Sequence, residues 1–363
     1  MRKNLQIAVV WPKPRVMRVS QSRQNPDRYP DFSDGLVYLN TEGIDIVVEE
    51  SLAAPLNPLA NMHEFYSGLD PLRAMRLIAR VRRYDAAICV GDATAFVLTW
   101  LRDTLRIHLP IVIIDPALSY SYPRRKRVQD YVLPRASCVV VFSESQIEYL
   151  RKEYGSAVRT ALLPHRADVD FYHPAPLTEG DGRPYVFSVG NDISRDFDTL
   201  ARAAQICAIT PGFQHRFVVQ TKNAVADGGA LDIRRDTVSY ADLRTLYQQA
   251  GVVVLPLHDM IHPGGINTLL EAMATSRPVV VSDSRGVRDY VRDGVTMLTA
   301  PPGDANALAA TIVKLTQSPA EAQRLGDNAR RFVVEHCDNR VYARELAEIV
   351  REAITRPTPS SRP

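Results

Sequence analysis

The chain alternates short apolar runs, rich in β-branched residues, with longer amphipathic stretches. The apolar runs fall at residues 6–10, 44–48, 86–90, 111–114, 138–142, 159–163, 185–189, 216–220, 252–256 and 278–282. They are polar only at their edges, the pattern of strands buried on both faces of a parallel sheet. Between them, apolar residues recur at helical spacing over 72–83, 95–105, 145–154, 198–209, 240–249, 268–275, 305–316, 319–335 and 340–355. Strand and helix in alternation predict a doubly wound α/β architecture. The strand count is too high for one six-stranded sheet, and the alternation breaks once: residues 167–183 hold Pro174, Pro176, Gly180 and Gly182, lack periodicity and lead straight into a fresh strand. The expected organisation is therefore two Rossmann-like domains, 1–172 and 173–335. A helical stretch at 336–356 is expected to pack back on the first domain, and 357–363 reads as a disordered tail.

Composition narrows the function classes. With 44 basic against 41 acidic residues, net +3, the chain is too balanced for a nucleic-acid backbone to be its main partner. Residues 1–172 carry 23 basic and 19 acidic side chains, and 173–363 carry 21 and 22. The basic run Pro123-Arg124-Arg125-Lys126-Arg127 and the basic amphipathic stretch 72–83 both lie in the first part. Solvated surface is the default for both; peripheral contact with an anionic membrane is the sharper reading. Cys89, Cys138, Cys207 and Cys337 form no C-x-x-C pair and have no nearby histidine at ligand spacing, so neither zinc nor redox chemistry is written here. Buried free thiols in a reducing compartment follow. The run Ile7-Ala8-Val9-Val10 is too brief for a signal core, and no apolar run approaches a membrane span, so a cytoplasmic protein is expected.

The sharpest segment is 252–282, where a buried strand ends at Pro256, a loop carries Gly264-Gly265, a helix opens near Asn267-Thr268, and a second strand follows. That arrangement aims free backbone N–H groups and a helix N-terminus at the carboxyl edge of a parallel sheet, where phosphate binds. A Gly pair before a helix is equally compatible with a tight turn. Glu271 adds specificity: a carboxylate in an apolar helix start is costly unless it accepts hydrogen bonds, and a pair of sugar hydroxyls would suit it. The plain alternative is an exposed glutamate near a helix N-terminus.

Residues 264–312 (GGINTLLEAMATSRPVVVSDSRGVRDYVRDGVTMLTAPPGDANALAATI) resemble the donor-binding signature of retaining glycosyltransferase family 4, of GT-B fold. The segments VVVFSESQIEYLRKEYG, LLPHRADVDFYHP and YVFSVGNDISRDFDTL agree in order and spacing, so the resemblance covers roughly 138–335 well and the first 137 residues only in general pattern. It implies two Rossmann-like domains facing a cleft that closes during reaction. It also implies a hexosyltransferase-type enzyme moving a sugar, with retention and without a metal, from a UDP- or GDP-sugar to a glycan, lipid-linked or small-molecule acceptor. Glu271 would hold the ribose hydroxyls, and Gly264, Gly265, Ile266, Asn267 and Thr268 would meet the distal phosphate. Arg195, in the loop that begins Gly190-Asn191, corresponds to the diphosphate-binding arginine. The family's neighbouring lysine is replaced by Asp196, and Lys222, the sole lysine between Lys152 and Lys314, is the cation expected to complete the clamp. Base contacts are expected within 235–240, Val238 included.

One departure stands out: eight residues before Glu271, where the family carries another glutamate near the transferred sugar, stands Pro263. His258, Asp259 and His262 precede it, and His262 or Asp259 is the candidate to fill the space. On the first domain, Ser33-Asp34-Gly35 is a candidate phosphate-approaching loop, while Asp92 and Asp115, each just past a strand, either orient an acceptor or cap the next helix. Asp168-Val169-Asp170 reads as turn chemistry rather than a metal-ligand pair. Two rival functions share the fold: a metal-free sugar-nucleotide 2-epimerase, and a non-catalytic nucleotide-sugar-binding partner subunit.

Overall fold

The computed structural model describes residues 4–11, 24–31, 33, 35–49, 70–114, 118, 123–177, 184–226 and 228–356. Asp34, Asp115 and the tail 357–363 lie outside them. The chain forms two compact units: the first takes residues up to Gln24, Asp31–Pro164 and the C-terminal segment from Asn339, and the second takes Asn25–Pro30 and His165–Asp338.

In the first unit six parallel strands are ordered β2-β1-β3-β4-β5-β6: β1 (Leu5–Val10), β2 (Ile44–Val48), β3 (Ala86–Val90), β4 (Ile111–Ile114), β5 (Cys138–Val141) and β6 (Thr160–Leu162). Their period of two splits the side chains between two cores. Ile7 and Val9 face one with Leu36, Leu39 and Trp11, while Ala8 and Val10 face the other with helices α1 (Pro71–Ala79), α2 (Asp92–Thr104), α3 (Pro123–Val132) and α4 (Glu144–Tyr154). The last helix, α10 (Asn339–Thr355), lays Tyr342, Leu346 and Val350 into the first of these cores. The basic run thus begins a helix, and in that helix Lys126 pairs with Asp130. In the stretch 72–83, Arg73 is not a surface cation: it is buried, and its Nη1 donates to the Trp11 carbonyl at 2.7 Å.

The second unit orders its parallel strands β12-β11-β10-β7-β8-β9: β7 (Tyr185–Val189), β8 (Arg216–Gln220), β9 (Asp232–Arg234), β10 (Val252–Leu255), β11 (Val279–Ser282) and β12 (Leu298–Ala300). Phe187, Val253 and Val281 pack under α6 (Tyr240–Gln248) and α7 (Ile266–Ala274). Val186, Val254 and Val280 pack under α5 (Phe197–Ala208) and α8 (Ala305–Gln317), and α9 (Pro319–His336) follows. The chain leaves β7 toward one edge of this sheet and β10 toward the other, so a topological switch point opens between β7 and β10, the place where open α/β sheets bind ligands.

The units divide at Pro164/His165, not at 172. Residues beyond 164 already bond into the second unit: the Ala167 N–H donates to the Cys337 carbonyl at 2.7 Å, and Arg330 Nη1 donates to the Tyr172 carbonyl at 2.8 Å. Asp168 Oδ1 accepts the N–H groups of Asp170 and Phe171, which is turn chemistry. All four cysteines are buried and free.

Candidate functional site

Two loops meet at the switch point. The loop after β7 begins at Gly190 and ends at Asp196, which caps α5 by accepting the Thr199 N–H at 3.0 Å and its hydroxyl at 2.7 Å. The loop after β10 runs alongside: Arg195 bridges Leu257 in antiparallel fashion, the Asp196 N–H reaches the Pro256 carbonyl at 3.0 Å, and the His258 N–H reaches the Ser194 carbonyl at 2.8 Å. This zipper fixes Arg195 against the start of α7.

The Arg195 side chain is only 2% exposed. Its Nη2 donates to Thr268 Oγ1 at 2.8 Å, its Nε lies 3.4 Å from Asp192 Oδ2, and its buried Nη1 has no hydrogen-bond partner among the described residues. Glycines make room for it. Gly190 and Gly265 both have positive φ, 149° and 81°, and a Cβ on either would collide with the guanidinium. Gly265 is also the N-cap of α7 and supplies no side-chain cap; the Ile266 N–H is taken by the Pro263 carbonyl at 3.2 Å, which leaves the Asn267 and Thr268 N–H groups to face a ligand near the unsatisfied Nη1. A buried arginine donor, a helix N-terminus and close-approaching backbone together offer the kind of hydrogen-bond donors that suit an anion such as phosphate.

One turn further on stands Glu271. Its Oε2 accepts the Tyr247 hydroxyl at 2.9 Å. The side chain is half-buried, yet protein crowds the carboxyl, and burial pushes its pKa up to about 7 against the opposing pull of Tyr247, Tyr172 and Arg195. A carboxylate one helical turn from an anion site, with solvent still reaching it, is placed to accept hydroxyls from the same ligand.

The other expected residues lie at different depths. Gly190, Gly264, Gly265, Ile266, Thr268, Arg195 and Glu271 converge. Asn191 and Asn267 are exposed at the rim. Lys222 is exposed too, and its N–H donates to Asn191 Oδ1 at 2.7 Å, which sets its backbone beside the β7 loop. Val238 precedes α6 in a segment tied to β8 by Gln220 Nε2 on the Asp236 carbonyl at 2.6 Å. Tyr240 opens α6, and the ring of Tyr29, from the segment Asn25–Pro30 that belongs to this unit, lies 6.2 Å from it.

In the loop before α7, Asp259 is committed to a two-pronged pair with Arg285 at 3.0 and 3.1 Å, and His258 Nδ1 lies 3.7 Å from Asp196. The His262 carbonyl accepts the Gly264 N–H at 2.7 Å. Sequence reasoning passed over Asp192, whose Oδ1 would lie 3.3 Å from a Cβ at Gly264, next to the position occupied by Pro263. It also passed over Tyr172 and Tyr247, which are remote in sequence from Glu271 and carry no motif. In the first unit Asp92 is fully buried; it accepts the Ala93 N–H in the first turn of α2 at 3.0 Å and Gln129 Nε2 at 2.8 Å, so its carboxylate is occupied by bonds within this unit, and the N-cap of α2 is Gly91.

The fold is of the class built from two Rossmann-like parallel sheets, with a buried arginine and a helix N-terminus meeting at the switch point of the second. Residues 236–332 match the family model described as glycosyl transferases group 1. The amylovoran biosynthesis glycosyltransferase AmsK of Erwinia amylovora is 32% identical over 137 residues, 36% of this chain and 33% of that protein. The chain thus spans about a third of the length of the curated relatives it matches. Sucrose-phosphate synthase from Thermosynechococcus elongatus superposes with a TM-score of 0.75 at 21% identity, over 97% of this chain and 100% of that one. Anabaena HepE, solved with UDP, superposes at 0.65 and 15% identity, over 96% and 99%. The fold of the chain is GT-B.

Proposed function

We propose that the protein is a glycosyltransferase whose second unit binds a nucleotide-diphosphate sugar, with UDP or GDP as the nucleotide. The observation that carries this reading is the buried, glycine-walled Arg195 guanidinium with an unsatisfied Nη1 at the N-terminus of α7, one turn from Glu271. The group 1 match over 236–332 and the UDP complex of HepE support it. When the bond between the anomeric carbon and the diphosphate oxygen breaks, negative charge grows on the departing diphosphate. Arg195, the α7 amides and Lys222 would neutralise that charge without a metal ion. Electrostatic groups fixed before the reaction need no reorganisation at the transition state, which is why burial of Arg195 matters more than its charge alone. Glu271 would hold the ribose hydroxyls and so set the register of the diphosphate on the cradle. The sugar would pass, with retention, to a hydroxyl of a glycan, lipid-linked or small-molecule acceptor.

A thermal-shift panel of UDP-, GDP-, ADP- and dTDP-sugars tests the donor assignment. A ligand at a hundredfold excess over its Kd stabilises by about 2.7 kcal/mol. If none of the four raises the melting temperature, the donor assignment is wrong. Turnover of the binding sugar nucleotide on an acceptor pool, retained in EDTA, tests the transferase and metal-free steps together.

A further inference from the structure

We infer that Tyr247, with the Tyr172 ring packed edge-on against it, is a positioning residue that acts through Glu271, holding one carboxylate oxygen so that the other is presented to the donor's hydroxyls. This rests on the donor reading above. The two tyrosines reach Glu271 from different elements: Tyr247 from α6, and Tyr172 from the connector that follows the first unit. Tyr247 is fully buried and donates to Oε2 at 2.9 Å, which fixes the carboxyl torsion. Tyr172 is 2% exposed, and its hydroxyl makes no hydrogen bond of normal geometry among the described residues while lying close enough to Glu271 to interact with it electrostatically.

Both rings are locked. Tyr172 meets Phe171 edge-on at 4.9 Å and Tyr247 at 6.1 Å, and Tyr247 meets Phe187 at 5.4 Å. The backbone of Tyr172 is pinned as well, because Arg330 Nη1 donates to its carbonyl at 2.8 Å and to the Ala274 carbonyl at the end of α7 at 2.9 Å. Arg330 thus ties the connector to the C-terminal end of the helix that carries Glu271. An apolar aromatic wall would place the Tyr247 ring without its hydroxyl; a buried hydroxyl donated to a carboxyl bonds more strongly when the carboxyl bears charge.

The groups facing Glu271 are Tyr247, Tyr172 and, from the β7 loop, Arg195; Thr268 faces Tyr247, and Tyr240 acts on Tyr172. The tyrosine hydroxyls and Arg195 all favour the ionised carboxyl, against the burial that favours the neutral acid. Removing a hydroxyl therefore raises the pH at which Glu271 ionises.

The test uses Y247F and Y172F, which keep the rings and so the packing. First, the Glu271 carboxyl is titrated in the free protein by 13C NMR, its signal assigned by its loss in E271Q. Wild type should titrate near pH 7, and Y247F about one pH unit higher. Second, calorimetry with UDP-glucose and GDP-mannose, whose diphosphates do not titrate in this range, is run from pH 6 to pH 9. The tighter of the two should bind Y247F about fivefold more weakly than wild type at pH 7 and nearly equally at pH 9. A loss of the same factor at every pH marks a merely structural role and overturns the proposal, as does an unmoved carboxyl titration in both variants. If the titration moves as expected but neither sugar nucleotide binds at any pH, the donor reading falls and the positioning of Glu271 stands.

Discussion

Replacing Glu271 by glutamine should stabilise the free protein above neutral pH while weakening its grip on the donor. The Glu271 carboxyl ionises at about 7 in the folded chain against 4.5 as its ordinary value, with burial as the largest cause. For an acid whose folded pKa is raised, the native state holds the proton more tightly than the unfolded one. The associated stability is fully present below pH 4.5, falls as pH rises, and is lost above pH 7. A gap of this size is worth at most about 3 kcal/mol at pH 8, an upper bound because solvent reaches the carboxyl from the site. Glutamine keeps the shape and removes the ionisation, so E271Q should gain most of that at pH 8 and almost none at pH 4. For a unit of this size, each kcal/mol moves the melting temperature by about 2–4 °C.

Calorimetric or circular-dichroism melts of both proteins at pH 4, 6 and 8 measure the gain, and titration with a sugar nucleotide at pH 8 measures what is lost. Hydroxyls donate best to an ionised carboxylate, and a lost charge-assisted hydrogen bond costs about 1.5–3 kcal/mol, at least tenfold in Kd. A variant that melts at or below wild type at pH 8, or that shows the same difference at pH 4 and pH 8, refutes the reasoning, because Glu271 would then not be a charge held in place against its own solvation.

Gly265→Ala should destabilise by more than about 1 kcal/mol in urea denaturation and abolish nucleotide binding, since it combines a positive φ with a collision against the Arg195 guanidinium. Lys222→Ala should leave stability unchanged and weaken UDP binding several-fold, with a deficit that shrinks as salt rises, as expected for an exposed cation. Asp92→Ala should cost about 1–2 kcal/mol of stability, from the lost bonds to the Ala93 N–H and Gln129, and leave nucleotide affinity in the second unit unchanged. Asp192→Asn should tighten UDP binding several-fold at low ionic strength, because Asp192 offsets part of the Arg195 charge; weaker binding would assign it a ligand contact instead.

The legible parts of the chain are those where one physical demand dominates. A central parallel strand must be apolar on both faces, so β3, β4, β7 and β8 could be read to the residue. The edge strands β9 and β12 escaped because three residues covered by one neighbour leave no apolar run; Asp232 and Arg234 pair in solvent. Helix α3 escaped because its opening PRRKR reads as a charge run, and the unit boundary was placed late because the connector carries Pro and Gly beyond the point where it has already bonded to the second unit. The site divides in the same way. Gly264, Gly265 and Glu271 stand out in the sequence because close backbone approach and a costly carboxylate each point to a residue type at a local position, whereas Arg195 stands out only through the family resemblance. Tyr172 and Tyr247 do not stand out, since two buried aromatics 75 residues apart look like core until the fold packs their rings together and turns the Tyr247 hydroxyl toward the Glu271 carboxyl. The departure at Pro263 shows the limit most directly: of the two candidates to fill the gap, Asp259 is paired with Arg285, while a carboxylate that lies beside the gap, Asp192, comes from the other side of the switch point. Spacing along the chain finds groups that one element presents, whereas a switch point is built from two elements that only the sheet order brings together.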